Sequence, residues 1–269
     1  MTEATILYQI PGDMTAGPLG SAEIVRRRSV LQDWASPGVT VDVEDSPGGP
    51  LSIESHAEEI MCVPPMIAAL TRRLPSSSAH DDAPPGERQR VRAEGAPEAV
   101  IIGCFGDPGL AALREILDCP VIGPFEASIH LAAQLGARVG VVTILESVVP
   151  LLDHLVRGMG LSLRYAGAAA IDVPVLDVKQ DAALVADRIE QAGKELIRRR
   201  DADVLVLGCM SLAFLGMAER VAPAIGVPVV NPAHCALKTA ESLVAQKLLH
   251  SRRTYAKPRK EIVALEKTR

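Results

Sequence analysis

The chain carries the same pattern twice. AVIIGC (Ala99–Cys104) leads into a helical stretch, then CPVIGP (Cys119–Pro124), then a second helical stretch. DVLVLGC (Asp203–Cys209) likewise leads into a helical stretch, then VPVVNP (Val227–Pro232), then a last helix. Each copy sets a Gly-Cys pair just past an apolar run too short to be anything but a buried strand. Each returns 16 or 19 residues later with a proline that opens the next short strand. Two similar half-sheets satisfy this pattern. Ligands of open α/β sheets bind beyond the carboxyl ends of strands, where Cys104 and Cys209 both fall. If the halves face one another, so do the cysteines.

The rest of the chain fits that frame. Strands are predicted at Thr5–Ile10, Val39–Val43, Arg138–Thr143 and within Ala170–Leu176. Helices are predicted at Ser21–Trp34, His56–Arg73 with a bend at Pro64 and Pro65, Asp181–Arg199, near Gly216–Val221 and at His234–Leu249. Strands alternating with such helices imply parallel sheets covered on both faces. Pro75–Pro97 is rich in Pro, Ser, Asp, Arg and Glu and reads as a surface loop. The basic stretch Arg252–Lys260 reads as a solvated C-terminus.

Composition excludes several function classes. The net charge is −5 and the only aromatics are one Trp, three Tyr and three Phe, so no nucleic-acid partner is expected. No apolar run has the roughly 18 residues of a membrane span, and none resembles a signal peptide, which points to the cytoplasm. Five widely spaced cysteines without a CxxC pair form neither a disulfide framework nor a zinc knuckle. No GxGxxG, Walker or GxSxG motif is present.

Chemistry therefore rests on the cysteines. A thiol at a strand exit near a helix start meets free N–H groups, which lower its pKa from about 8.5. One thiolate can then take a proton from carbon while the opposing thiol returns one to the other face. Cys62, Cys119 and Cys235 read as packing residues. Asp107, in the turn Gly106–Gly109, reads as the cap of the helix that follows it. A metal site assembled from the two cysteines and His234 is an alternative without short ligand spacing to support it. A two-lobed sensor that binds a ligand without turnover is another.

Longer stretches carry a resemblance. GPLSIESHAEE (Gly49–Glu59), the run Ile101–Thr143, VLVLGCMSLAFL (Val204–Leu215) and GVPVVNPAHCALKTAESLV (Gly226–Val244) resemble the Asp/Glu/hydantoin racemase superfamily, nearest its hydantoin and allantoin racemase branch. The resemblance implies an α/β fold of two Rossmann-like parallel-sheet lobes with pseudo-twofold symmetry and an interlobe active site. The lobes would be residues 1–120 plus 231–269, and 121–230. It implies a homo-oligomer that needs no cofactor and acts on a small-molecule substrate, with Cys104 and Cys209 as the proton-transfer pair. It places Pro11, Gly12, Asp13, Phe105, Gly106, Thr143, Met210 and Ser211 against the substrate. Ile10 and Gly12 stand where the resemblance expects asparagines, Met210-Ser211 replaces Ala-Gly, and Asn231-Pro232 replaces Asp-Gly. A cyclic ureide such as a 5-substituted hydantoin or allantoin is the implied substrate. Maleate-type cis-trans isomerisation by a cysteine nucleophile is the alternative reaction.

Overall fold

A computed structural model describes residues 4–72 and 95–260. The expected loop at 75–97 lies outside the described residues except for Gly95–Pro97. Two four-stranded sheets form. The first has the order β2 (Val39–Glu44), β1 (Ala4–Gln9), β3 (Ala99–Ile102), β4 (Val121–Ile122). The second has β6 (Tyr165–Ala170), β5 (Val139–Thr143), β7 (Val204–Leu207), β8 (Val229–Val230). All pairings are parallel, and the two orders are the same. The sequence repeat is thus a repeat of topology. Val121–Ile122 pairs with β3, so it stands in the first sheet.

Every central strand is buried on both faces, which is why each reads as a continuous apolar run. Alternate residues divide between separate cores. Ile6, Tyr8, Ala99 and Ile101 meet Val139, Val141, Val204 and Val206 in one core between the sheets. Their neighbours Leu7, Val100 and Ile102 pack outward on Met66, Leu70 and Leu113. Val142, Leu205 and Leu207 pack outward on Val185, Ile189 and Leu196. The shared middle core makes the two sheets one packed body.

Ten helices cover these faces among the described residues: α1 (Gly20–Trp34), α2 (His56–Met61), α3 (Val63–Thr71), α4 (Leu110–Ile116), α5 (Pro124–Leu135), α6 (Val149–Gly158), α7 (Ala182–Arg200), α8 (Met210–Phe214), α9 (Met217–Ile225) and α10 (Pro232–Ala245). Local chemistry sets their starts. Asp181 accepts from the N–H groups of Ala183 and Leu184 and caps α7. Asn231 does the same for α10 through Ala233 and His234, with Pro232 following at the first helical position. Its Nδ2 also donates to the Ala213 carbonyl at 3.2 Å and ties α10 to α8. The asparagine that stands where the resemblance expects Asp-Gly to begin is therefore a capping residue.

Four expectations change. The helix over 56–73 breaks at Cys62, ahead of the prolines, which occupy the first turn of α3 where their missing N–H costs nothing. The strand expected within 170–176 is Tyr165–Ala170. Its YAGAAA sequence lacks the branched residues that mark strands, whereas the extended segment after it carries them. Asp107 caps α5 rather than α4, accepting from the N–H of Phe125 at 2.9 Å and of Glu126 at 2.8 Å. The basic tail is docked. Arg252 donates to the carbonyls of Arg114 and Leu117 and pairs with Asp118, while Lys257 reaches the Ile116 carbonyl and Asp118. These cations satisfy the open carbonyl end of α4.

At the strand exits the fit is tightest. A Cβ on Gly208 would lie 2.9 Å from Thr143 Cβ and 3.0 Å from the Val142 oxygen. Gly208→Ala should therefore cost about 1–3 kcal/mol from overpacking. A thermal melt followed by circular dichroism should show a loss of several degrees; an unchanged melting temperature would contradict this packing.

Candidate active site

The ladder of each sheet ends on the glycine before a cysteine. Gly103 N–H donates to the Gln9 carbonyl at 2.7 Å and Gly208 N–H to the Val142 carbonyl at 2.6 Å. A Cβ on Gly103 would meet Tyr8 Cε1 at 2.8 Å and the Gln9 oxygen at 2.9 Å. Only glycine permits that approach, and the next residue is the first free to leave the sheet. Cys104 and Cys209 occupy those two positions and line one cavity of about 430 Å³. Cys104 is half-buried and Cys209 is 7% exposed. Both side chains open onto that one cavity, one from the end of each sheet.

Of the residues expected against a substrate, Pro11, Gly12, Phe105, Gly106, Met210 and Ser211 line this cavity. Asp13 and Thr143 stand behind its wall. Asp13 accepts from the N–H groups of Ala16 and Gly48 and shapes the loop after β1. Thr143 is fully buried and donates to the Gly208 carbonyl at 3.3 Å, bracing the exit of β7. Gly12 stands in place of an expected asparagine for a steric reason. A Cβ there would lie 2.5 Å from the Pro50 carbonyl oxygen. Two loops interlock at this point, with Asp13 N–H donating to Pro50 and Ser46 N–H to Gly12.

Two parts of the site lie beyond the residues expected against a substrate. Segment Pro50–Ser55 crosses to the other lobe: the Ser147 hydroxyl donates to the Glu54 carbonyl at 3.0 Å, and Val175 N–H donates to the Glu54 carboxylate at 2.8 Å. Leu51, Ile53 and Glu54 thereby join the lining. The second part is Arg27 on α1, which is buried and also lines the cavity. Its Nε donates to Glu23 at 2.8 Å and its Nη2 to the Ser211 hydroxyl at 3.2 Å. Its guanidinium carbon lies 4.9 Å from the ring centroid of Phe214. Glu23 also binds Arg26 at 2.8 Å and Lys179 from the second lobe. In sequence, Glu23 with Arg26 and Arg27 has the i,i+3 and i,i+4 spacing of a surface pair. Only the docking of the second lobe buries it.

His234 stacks on Trp34 with ring centroids 5.1 Å apart and is not among the cavity's lining residues. The alternative Cys-Cys-His arrangement is therefore not assembled, and no described group of three or more His, Cys, Asp or Glu could hold a metal ion. Cys62, Cys119 and Cys235 are buried in the apolar cores. Among the described residues no helix is long and apolar enough to cross a membrane.

The thiols differ from expectation in one respect. Burial raises both above the ordinary cysteine value, outweighing the N–H of Gly106 beside Cys104 and the N–H groups of Leu212 and Ser211 beside Cys209. The low dielectric disfavours a thiolate more than these donors favour it. The same burial pushes Asp107 up to about 8 against the pull of its two N–H donors.

The arrangement suits proton transfer at carbon. Two thiols share a largely apolar, partly enclosed cavity, and backbone donors stand beside each. Such a cavity is the usual form of a small-molecule site.

Residues 17–240 match the Asp/Glu/Hydantoin racemase family. The chain is 38% identical over 159 residues to the hydantoin racemase of Paenarthrobacter aurescens, a match covering 59% of this chain and 66% of that one, just under two thirds. It is 34% identical over 248 residues to the hydantoin racemase of Rhizobium meliloti, covering 91% of this chain and 90% of that one. The allantoin racemase of Pseudomonas fluorescens superposes with a TM-score of 0.80 at 28% identity, covering 96% of this chain and 99% of that one.

The Glu23 cluster has a measurable consequence. Burial pushes its carboxyl up, but hydrogen bonds from Arg26, Lys179 and Arg27 outweigh it and hold the group at about 2, below the ordinary 4.5. A depressed folded-state pKa adds stability that is present above pH 4.5 and lost as pH falls towards 2. Glu23→Gln should flatten that part of a urea-midpoint-against-pH curve. At neutral pH it should cost about 3–5 kcal/mol, because buried cations lose their counter-charge. An acid limb of the same slope in the variant would contradict the assignment.

Proposed function

This chain belongs to the Asp/Glu/hydantoin racemase family, and we propose that it racemises a 5-substituted hydantoin, allantoin or related cyclic ureide through Cys104 and Cys209. The family is one of cofactor-independent racemases that use paired cysteines. The observation that carries the reading is the placement of both strand-exit cysteines on one interlobe cavity, each just past a glycine that ends its sheet's ladder.

One thiolate takes the proton from the stereocentre, and the C–H electron pair passes into the adjoining carbonyl as an enolate. The opposite thiol then gives its proton to the other face of the same carbon, so the charge ends on the sulfur that began protonated. The N–H groups of Gly106, Ser211 and Leu212 face this zone and favour developing negative charge. The apolar part of the lining, including Met14, Leu51, Ile53 and Phe105, receives a ring substituent. The names of the relatives support a ureide ring as the substrate. A merely ligand-binding protein has no need of two facing thiols.

Single enantiomers of 5-substituted hydantoins and of allantoin in deuterated water test this. Optical rotation should decay, with deuterium entering the stereocentre. Cys104→Ser and Cys209→Ser should each lower the rate by at least ~10²-fold, the usual worth of a positioned acid or base. Burial raises both thiols, so kcat/KM should rise with pH from neutral into the alkaline range as the ionised fraction grows, by about tenfold per unit. No exchange with any enantiomer would move maleate-type isomerisation ahead, and a pH-independent rate would contradict the raised thiols.

A further inference from the structure

The two thiols do not have equivalent surroundings. Both lie near the wholly buried Tyr8 hydroxyl, which feels the charges of Arg27, Cys104 and Cys209. Both also line the one cavity. These shared neighbours cannot choose between them. The unshared ones can. Cys209 faces the Arg27 guanidinium, the Ser211 hydroxyl and the N–H groups of Ser211 and Leu212. Cys104 faces Asp107, Cys62 and the N–H of Gly106. The other titratable groups of the lining are Glu54, His56, Glu59 and His154, and Glu59 is already engaged by His56 at 2.9 Å. Among the described residues lining the cavity, Arg27 is the only arginine or lysine.

Arg27 is also fixed in place. Its side chain is 4% exposed. Glu23 holds its Nε from α1, its Nη2 is bonded to the residue two positions after Cys209, and the Phe214 ring lies beneath it. Glu23 is in turn shared with Arg26 and Lys179, so three cations surround one carboxylate. The cluster keeps a net positive charge after its internal pairing. That charge is directed, through Arg27, at one of the two thiols.

We infer that Arg27 is a positioning residue that sets the order of ionisation of the pair: the single negative charge resides on Cys209, and Cys104 carries the proton in the free protein. The inference rests on the proposed two-thiol site. It assigns Cys209 as the resting base, ready for the enantiomer whose C–H faces it, and gives α1, which carries no catalytic motif, a direct effect on the chemistry. The guanidinium acts on the thiolate through space and through Ser211, without leaving its salt bridge.

Thiolate absorbance near 240 nm tests this without any substrate, so its outcome is separate from whether ureides are racemised. Cys104→Ser leaves Cys209 of the pair, and Cys209→Ser leaves Cys104. Subtracting the Cys104→Ser/Cys209→Ser double variant removes the other cysteines and the tyrosines. Cys209 should ionise at lower pH than Cys104. In the Cys104→Ser background, Arg27→Gln should raise the Cys209 midpoint by about one unit, a tenfold loss of thiolate below that midpoint, and Arg27→Lys should restore most of it. Circular dichroism checks that the variants fold. If Arg27→Gln does not fold, the order of the two single-cysteine midpoints alone decides. Equal midpoints, or Cys104 ionising first, would overturn the inference. So would an unmoved Cys209 midpoint in a folded Arg27→Gln protein, which would leave Arg27 as an interlobe clamp only.

Discussion

At the ends of β3 and β7 the chain passes closer to its neighbouring strand than any side chain allows. Gly103 lies against Tyr8 and Gln9, and Gly208 lies against Val141, Val142 and Thr143. The rest of the site follows from those two contacts. The backbone hydrogen bond of each glycine completes a ladder, and the following residue turns out of the sheet. Because the two sheets share one strand order and one middle core, the two exits open onto the same cavity. The cysteines are thus positioned by sheet geometry, which is stiffer than loop geometry and better suited to proton transfer over short distances.

Packing alone would leave two neutral thiols in an apolar pocket. Burial raises both, and the few backbone donors do not reverse it. Charge enters from the lobe junction. Glu23 binds Arg26 and Arg27 on its own helix and Lys179 from the opposite lobe, so the contact that joins the lobes also brings a guanidinium to the cavity wall. The neutralising partner of a buried ion pair is normally a structural necessity. Here the pair is unequal, and the excess is positive beside Cys209.

Much of this was legible in the sequence, and the reasons differ by residue. The repeated Gly-Cys after buried strands identified the architecture, because runs such as VLVL have no other stable setting. The resemblance named Phe105, Gly106, Met210 and Ser211 beside those motifs and Pro11 and Gly12 after the first strand, and all six line the cavity. Arg27 and Tyr8 were not, since one reads as a surface cation on a helix and the other as a core aromatic in a strand. Only the approach of the second lobe changes their meaning. Glu54 lies in a stretch that carries the resemblance, but nothing in that stretch assigns it to the cavity until Ser147 and Val175 bond to it from the other lobe. Asp107 was read as a local cap, whereas its carboxylate reaches to α5, a long-range contact that spacing does not encode. Thr143 and Asp13 were placed against the substrate by resemblance, yet they brace the wall from behind.

The central claim is that Cys104 and Cys209 face opposite sides of one substrate carbon. A crystal structure with bound 5,5-dimethylhydantoin tests it most directly, since that ring has no proton to exchange at C5 and stays as it binds. Facing thiols require C5 between the two sulfurs, one on each face of the ring. A ring seated elsewhere, or both sulfurs on one face, would contradict it.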